Sequence, residues 1–244
     1  MNLVLITAEE ERAGLPAEDA RAAHLLGTVG LRIGATFHVG IEDGLRGIAT
    51  VTACAPSLRF SVEWEKAPQR RLPLSVLVGL PRPQTARKVL HDLASLGASD
   101  LRFFTPQKGD PAYAASSLWR DGEWREHLRK GAEQACSALL PRVAVHESLE
   151  AAVAALPPGG LRVALDPYEA EGPLTPERGG AEAVLAVGPE RGWSDAERRT
   201  LRAAGFRLLH MGDRVLRVEA AALAGGALLL SGLGSWRAHR PVAD

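Results

Sequence analysis

Two short stretches carry the residue types that chemistry at a loop requires. In the first, apolar Ala183-Val-Leu-Ala-Val187 runs into Gly188-Pro189-Glu190-Arg191-Gly192-Trp193, and Ser194 with Glu197 then spells a capping box, the signature of a helix start. Glycines leave the backbone bare, so N–H groups can face a ligand, and the helix N-terminus adds positive potential. In the second, Phe206-Arg-Leu-Leu-His210 leads into Met211-Gly212-Asp213-Arg214-Val215-Leu216-Arg217-Val218-Glu219 and the small-residue segment Ala220–Leu230. Arg217 and Glu219 stand between apolar neighbours just ahead of a helix that should be buried. Charges are costly there unless paired with each other or used on a ligand, and both readings stay open.

Other chemistries lack their residues. No GxxxxGK(S/T) or GxGxxG follows an apolar strand, which removes the phosphate loops of P-loop and Rossmann folds. Ser117, Ser194 and Ser231 sit in no GxSxG elbow. The seven histidines, His239 among them, show no HExxH or paired ligand spacing, and the cysteines Cys54 and Cys136 form no CxxC, so no metal is expected.

The elements that must position these loops read as an α/β pattern from residue 72 onward. Leu74–Gly79 is an apolar run of the kind buried on both faces of a parallel sheet. Gln84–Leu96 has Val89, Leu90, Leu93 and Leu96 at helical spacing and stops at Gly97. A strand at Leu101–Phe104 follows, then a helix over Glu123–Ser137 with Trp124, Leu128, Ala132 and Ala135 on one face. Next come a short helix Leu149–Leu156, a strand Leu161–Leu165 and a loop over Asp166–Gly180. Alternation of this kind predicts a mainly parallel sheet, with ligands at the carboxyl ends of its strands. Before it, the apolar N-terminus reads as a first strand, and Leu31–Val62 alternates around the turn Glu42-Asp43-Gly44 as a β-hairpin would. The polar run Glu63–Arg71 marks a boundary near residue 70.

Composition bounds the rest. With 244 residues, 46% of them apolar, the chain is long enough for a substantial core, and disorder is excluded. Twenty-nine basic against 29 acidic residues exclude a uniformly basic coat but leave room for a local patch. The longest apolar stretch, Ala220–Leu230, is shorter than the roughly 18–20 residues of a membrane span, and no basic n-region precedes the first apolar residues. A cytoplasmic protein with no membrane partner is expected.

At the two loops the sequence resembles the 16S rRNA (uracil-1498-N3) methyltransferases, the ribosomal RNA small subunit methyltransferase E family. Members typically read GPEGG(F/W)S..E....GF and then (L/M/I)G.R(I/V)LR.ETA. Here stand Gly188–Glu197, Gly205-Phe206 and Met211–Ala220, in the same order and spacing. The likeness extends upstream through Val78–Thr85, Leu93–Gly97 and Ala132–Pro141, and through His24-Leu25 and Leu31–Gly34 near the N-terminus.

The resemblance implies an α/β fold with two domains: a PUA-like β-barrel that binds RNA over residues 1–70, and a SPOUT methyltransferase domain over 71–244 with a C-terminal trefoil knot, paired as a homodimer. It implies S-adenosylmethionine as cofactor, cradled by Leu165 and Asp166, by Val187, Gly188, Pro189, Glu190, Gly192 and Trp193, and by Met211, Gly212, Asp213, Val215 and Leu216. The partner is 16S rRNA within the 30S subunit. Arg217 is expected to donate to a uracil carbonyl oxygen as charge develops, with Glu219 fixing Arg217 or assisting proton removal. Arg32, Arg82, Lys108 and Arg214 are the candidate RNA contacts. The sequence departs from the family pattern at Arg191, where the second glycine of GPEGG belongs, and at Ala220, where threonine is usual. Two readings compete with the expected activity: a catalytically altered RNA- or ribosome-binding protein, and a SPOUT methyltransferase of another nucleotide.

Overall fold

The computed structural model of the protein describes residues 2–176 and 180–236, and His239 lies outside them. These residues form two compact units.

The first unit comprises residues 2–70 and Arg129–Leu140, a segment that the sequence pattern alone assigns to the larger domain. Its strands are β1 (Val4–Ile6), β2 (Leu15–Pro16), β3 (Thr36–Ile41), β4 (Arg46–Ala53) and β5 (Ser57–Trp64), with helices α1 (Ala8–Ala13) and α2 (Ala20–Ala23) between. They make a five-stranded sheet in the order β1-β3-β4-β5-β2, antiparallel except where β1 lies parallel to β3. The hairpin turn falls at Glu42–Gly44, with Asp43 at φ 56°. Ile6, Leu15, Leu25, Val39, Val51 and Leu58 close the core around Phe37 and Phe60, whose rings meet edge to face at 5.4 Å. The returning segment is held by hydrogen bonds: Leu3 N donates to the Glu133 carbonyl at 2.9 Å and Leu140 N to Asp43 Oδ1 at 3.0 Å.

The second unit is built on seven strands, β6 (Leu74–Gly79), β7 (Asp100–Phe104), β8 (Arg142–His146), β9 (Leu161–Leu165), β10 (Gly172–Pro173), β11 (Ala183–Val187) and β12 (Arg207–His210). Every pairing is parallel, in the order β10-β12-β9-β11-β6-β7-β8. Its helices are α3 (Pro83–Leu96), α4 (Ser117–Arg120), α6 (Leu149–Ala154), α7 (Asp195–Ala203) and α8 (Val218–Gly232), while α5 (Trp124–Gln134) starts in this unit and from Arg129 onward belongs to the first. Three expectations need correction. The helix expected over Glu123–Ser137 ends at Gln134, because Cys136 turns to φ 51°, and Ala135 is left exposed. The stretch Asp166–Gly180, expected to be all loop, contains the edge strand β10. The last helix begins two residues earlier than the small-residue run suggests, at Val218.

The strand order decides where the loops go. The chain runs outward through β6, β7 and β8, then returns to lay β9 on the far side, and β11 later fills the slot between β6 and β9. Neighbouring parallel strands β12, β9 and β11 therefore end at one edge of the sheet, the place where ligands bind in open α/β sheets. Helix α8 packs closely at that sheet because of its small residues. A Cβ on Gly225 would lie 3.1 Å from Leu165 and Leu185, and one on Gly226 2.9 Å from Leu96.

Candidate functional site

Each of the three loops is fixed by a different device. The loop after β11 starts from a strand buried on both faces, and its turn closes where Gly192 N donates to the Pro189 carbonyl at 2.8 Å, with Gly192 at φ 67°. Trp193 then folds inward. It is 1% exposed, stacks on Phe104 at 6.0 Å, and donates its indole N–H to the Leu165 carbonyl at 2.8 Å. This bond ties the loop after β11 to the end of β9. The capping box forms: Glu197 N donates to Ser194 Oγ at 3.1 Å and Ser194 N to Glu197 Oε2 at 2.7 Å. The other oxygen of buried Glu197 accepts from Gln107 N at 3.0 Å.

The loop after β9 is set by Asp166, 1% exposed, whose carboxylate pairs with Arg198 Nε at 2.5 Å and accepts the Tyr168 N–H at 2.9 Å. Burial raises the Asp166 carboxyl, but the Arg198 guanidinium and the Tyr168 and Glu169 amides outweigh it and hold it below the ordinary carboxylate value. The loop after β12 turns at Gly212, φ 93°, whose N–H donates to His210 Nδ1 at 3.1 Å. It enters α8 through Arg217, the residue that caps the helix.

Together these loops wall a cavity of about 560 Å³, within the size range of small-ligand sites. Leu165, Asp166, Val187, Gly188, Pro189, Glu190, Gly192 and Trp193 line it, as do Met211, Gly212, Val215, Leu216, Arg217 and Glu219. Arg82 and Arg214 also face it. Asp213 is exposed and stays off the wall. Arg32 belongs to the first unit, where its guanidinium donates to the Leu31 carbonyl at 2.9 Å. Lys108 is absent from the wall as well, since its ammonium is drawn to the Trp193 carbonyl at 2.7 Å.

Side-chain roles differ from what the loop motifs alone suggest. Asp166 and Trp193 line the cavity and also hold the scaffold together through buried side chains. The Arg217–Glu219 ion pair is not formed: Glu219 lies 3.6 Å from Lys88 Nζ, and Arg217 is exposed with no ion pair among the described residues. Helical geometry explains this, because the Arg217 backbone is still extended, at φ −67° and ψ 155°, and Glu219 already sits in the first turn.

Sequence reasoning missed Thr85, Pro167, Tyr168, Leu209 and His210 on the wall. Tyr168, 73% exposed, directly follows Asp166-Pro167, and only the folded turn brings it within reach of Gly192. Among the described residues no group of three or more His, Cys, Asp or Glu could hold a metal ion.

Residues 68–230 match the family model of an RNA methyltransferase domain. The chain is 31% identical to ribosomal RNA small subunit methyltransferase E of Treponema pallidum, covering 99% of this chain and 95% of that protein. It is 26% identical to ribosomal RNA small subunit methyltransferase E 1 of Borreliella burgdorferi, covering 96% and 99%. Its fold matches that of ribosomal RNA small subunit methyltransferase E from Neisseria gonorrhoeae, solved bound to S-adenosyl methionine, with a TM-score of 0.76 at 18% identity over 95% and 97% of the two chains. It also matches a probable rRNA-methyltransferase from Porphyromonas gingivalis, with a TM-score of 0.77 at 18% identity over 97% and 100%.

Proposed function

The chain belongs to the ribosomal RNA small subunit methyltransferase E family, and from that premise we propose that it methylates N3 of a uracil, uridine 1498 of 16S rRNA, with S-adenosylmethionine as donor. One observation carries the reading: three loops from the carboxyl ends of adjacent parallel strands meet on a single cavity, with Arg217 at its edge and in no ion pair among the described residues.

The cavity suits the cofactor. Leu165, Val187, Leu209 and Val218 give it apolar wall, and the backbone of Gly188, Gly192 and Gly212 is bare of side chains there. These loops would hold the molecule by backbone groups and apolar contact, since Asp166 is committed to Arg198. When bound, S-adenosylmethionine supplies an electrophilic methyl group on a sulfonium sulfur.

The chain's own residues then orient the base and offset charge. With the methyl supplied by the cofactor, whose sulfur would retain the C–S electron pair, this chain's part is to hold the uracil so that N3, whose proton passes to solvent or a base, faces that methyl. Negative charge spreads onto the flanking carbonyl oxygens while N3 is unprotonated. The exposure of Arg217 on the cavity wall, without an ion pair among the described residues, supports its role as donor to one of them. Glu219, 15% exposed and beside Lys88, is the nearest carboxylate in sequence. Its role is to orient this end of α8 or to take up the proton.

The same reading includes the family's knotted SPOUT arrangement, a PUA-like first unit that touches RNA, and a homodimer. Insertion of β11 between β6 and β9 supports the knot, and the exposed apolar side chains Val215, Leu216 and Leu223 support pairing of two copies. No helix among the described residues is long and apolar enough to cross a membrane. A cytoplasmic location follows from the proposed substrate.

The test is transfer of labelled methyl to 30S subunits lacking the modification, with mass-spectrometric location of the product. Label on N3 of uridine 1498 is expected. Label on another nucleotide would reassign the substrate, and cofactor binding without transfer would make the chain a binding protein.

A further inference from the structure

Four arginines stand on the cavity wall: Arg82 beside the start of α3, Arg191 in the loop after β11, and Arg214 and Arg217 before α8. All four are exposed, and none forms an ion pair among the described residues. The wall's carboxylates do not offset them. Asp166 is held by Arg198, Glu219 lies beside Lys88, and Glu190 accepts the backbone N–H of Arg82 at 3.0 Å. Against four arginines, Glu190 is thus the one carboxylate of the wall without a cationic side chain beside it among the described residues.

Such a surplus is directed at an anion. The whole chain is neutral, with 29 basic and 29 acidic residues, so attraction to a polyanion has to come from a local concentration of charge. S-adenosylmethionine carries a sulfonium and an ammonium against one carboxylate and gains nothing from several surplus cations. A phosphodiester backbone matches them, because the guanidinium fork pairs with two phosphate oxygens.

Among the four, Arg191 has a distinctive position. It is a central residue of the tight turn that Gly192 N closes on the Pro189 carbonyl, so its side chain leaves from the tip of the loop. The family motif has glycine there, whereas Arg214 and Arg217 coincide with arginines of the motif. We propose that Arg191, standing where the family motif has glycine, is an RNA-contacting residue that binds a backbone phosphate next to the target nucleotide at the cavity mouth. This rests on the functional reading above and deepens it.

The test compares wild type with Arg191→Gly and Arg191→Lys, three proteins expected to fold alike because the position is exposed and has no left-handed φ. S-adenosylmethionine affinity is measured by calorimetry, binding to unmodified 30S subunits as a function of salt, and methyl transfer at varied subunit concentration. Arg191→Gly is expected to keep cofactor affinity and kcat, raise KM for subunits about tenfold, and lower the slope of log affinity against log salt by about 1. Arg191→Lys is expected to retain the slope. Weakened cofactor binding in Arg191→Gly would overturn the proposal in favour of a contact to the methionyl carboxylate, and unchanged KM and slope would reduce Arg191 to a solvated charge. If wild type binds cofactor and subunits without transfer, the methyltransferase reading fails while the salt slopes still decide Arg191. If it binds neither, both are overturned.

Discussion

Arg217 and Asp166 are both charged and both face the cavity, yet their surroundings give them opposite work. Arg217 is exposed with no ion pair among the described residues, free to meet a substrate oxygen. Replacing it with alanine should cut single-turnover methyl transfer by about 10²–10³-fold, the scale of one transition-state donor, while cofactor affinity measured by calorimetry stays level. Equal transfer rates would remove Arg217 from the chemistry. Asp166 is buried against Arg198, so removing its charge leaves that guanidinium only the longer contacts to Asp195 at 3.2 Å and Glu169 at 3.5 Å, a loss expected to fall below the about 3–5 kcal/mol of a fully broken buried pair. Its carboxyl is lowered in the folded state. The stabilisation is therefore full above the unfolded pKa of about 3.9 and is lost as pH falls through the lower folded value. Thermal unfolding of wild type and Asp166→Asn should differ most near neutrality, and the difference should narrow progressively as pH falls below about 4. A gap in melting temperature that does not narrow with acidification would contradict the assignment.

At the scale of elements, the loops are held by close approaches between strands and helices. Gly79, the last residue of β6, lets the loop after β11 pass so near that a Cβ there would lie 2.8 Å from Pro189. Gly79→Ala should push that loop outward, lowering cofactor affinity by about tenfold and stability by about 1–3 kcal/mol, the usual cost of overpacking. Calorimetric titration with S-adenosylmethionine together with a denaturant melt checks both, and an unaltered affinity would mean the loop tolerates displacement. Gly225 and Gly226 do the same for α8, which explains a helix rich in small residues better than weak helix propensity would. The helix starts and stops were legible in advance: Ser194 and Glu197 cap α7, and Gly97 ends α3 in the left-handed region. The end of α5 was not, because Cys136 is an unusual residue to find at positive φ.

For the whole molecule, zero net charge and a cation-rich cavity divide the labour between solubility and recognition. The proposed dimer is the other question at this scale. Val215 is 75% exposed, and Leu216 and Leu223 are exposed as well, an arrangement that a second copy would cover. Sedimentation should show a dimer for wild type and a monomer for Leu223→Glu, with cofactor binding weakened in the monomer. A wild-type monomer that still binds cofactor would remove the second copy from the site.

The sequence by itself determined the class of fold, most element positions and the two loops that matter, because apolar periodicity, capping boxes and glycine stops are local signals. It also carried the family resemblance, since Gly188–Glu197 and Met211–Ala220 keep their spacing within continuous stretches. What only the tertiary structure decided is pairing across distance. That Asp166 faces Arg198, that the Trp193 indole reaches the Leu165 carbonyl, and that Glu219 meets Lys88 instead of Arg217 all depend on β11 entering between β6 and β9. Such contacts join residues 28 to 131 positions apart, and no local pattern encodes which charge finds which partner. Buried groups need one, and the strand order settled who was near enough.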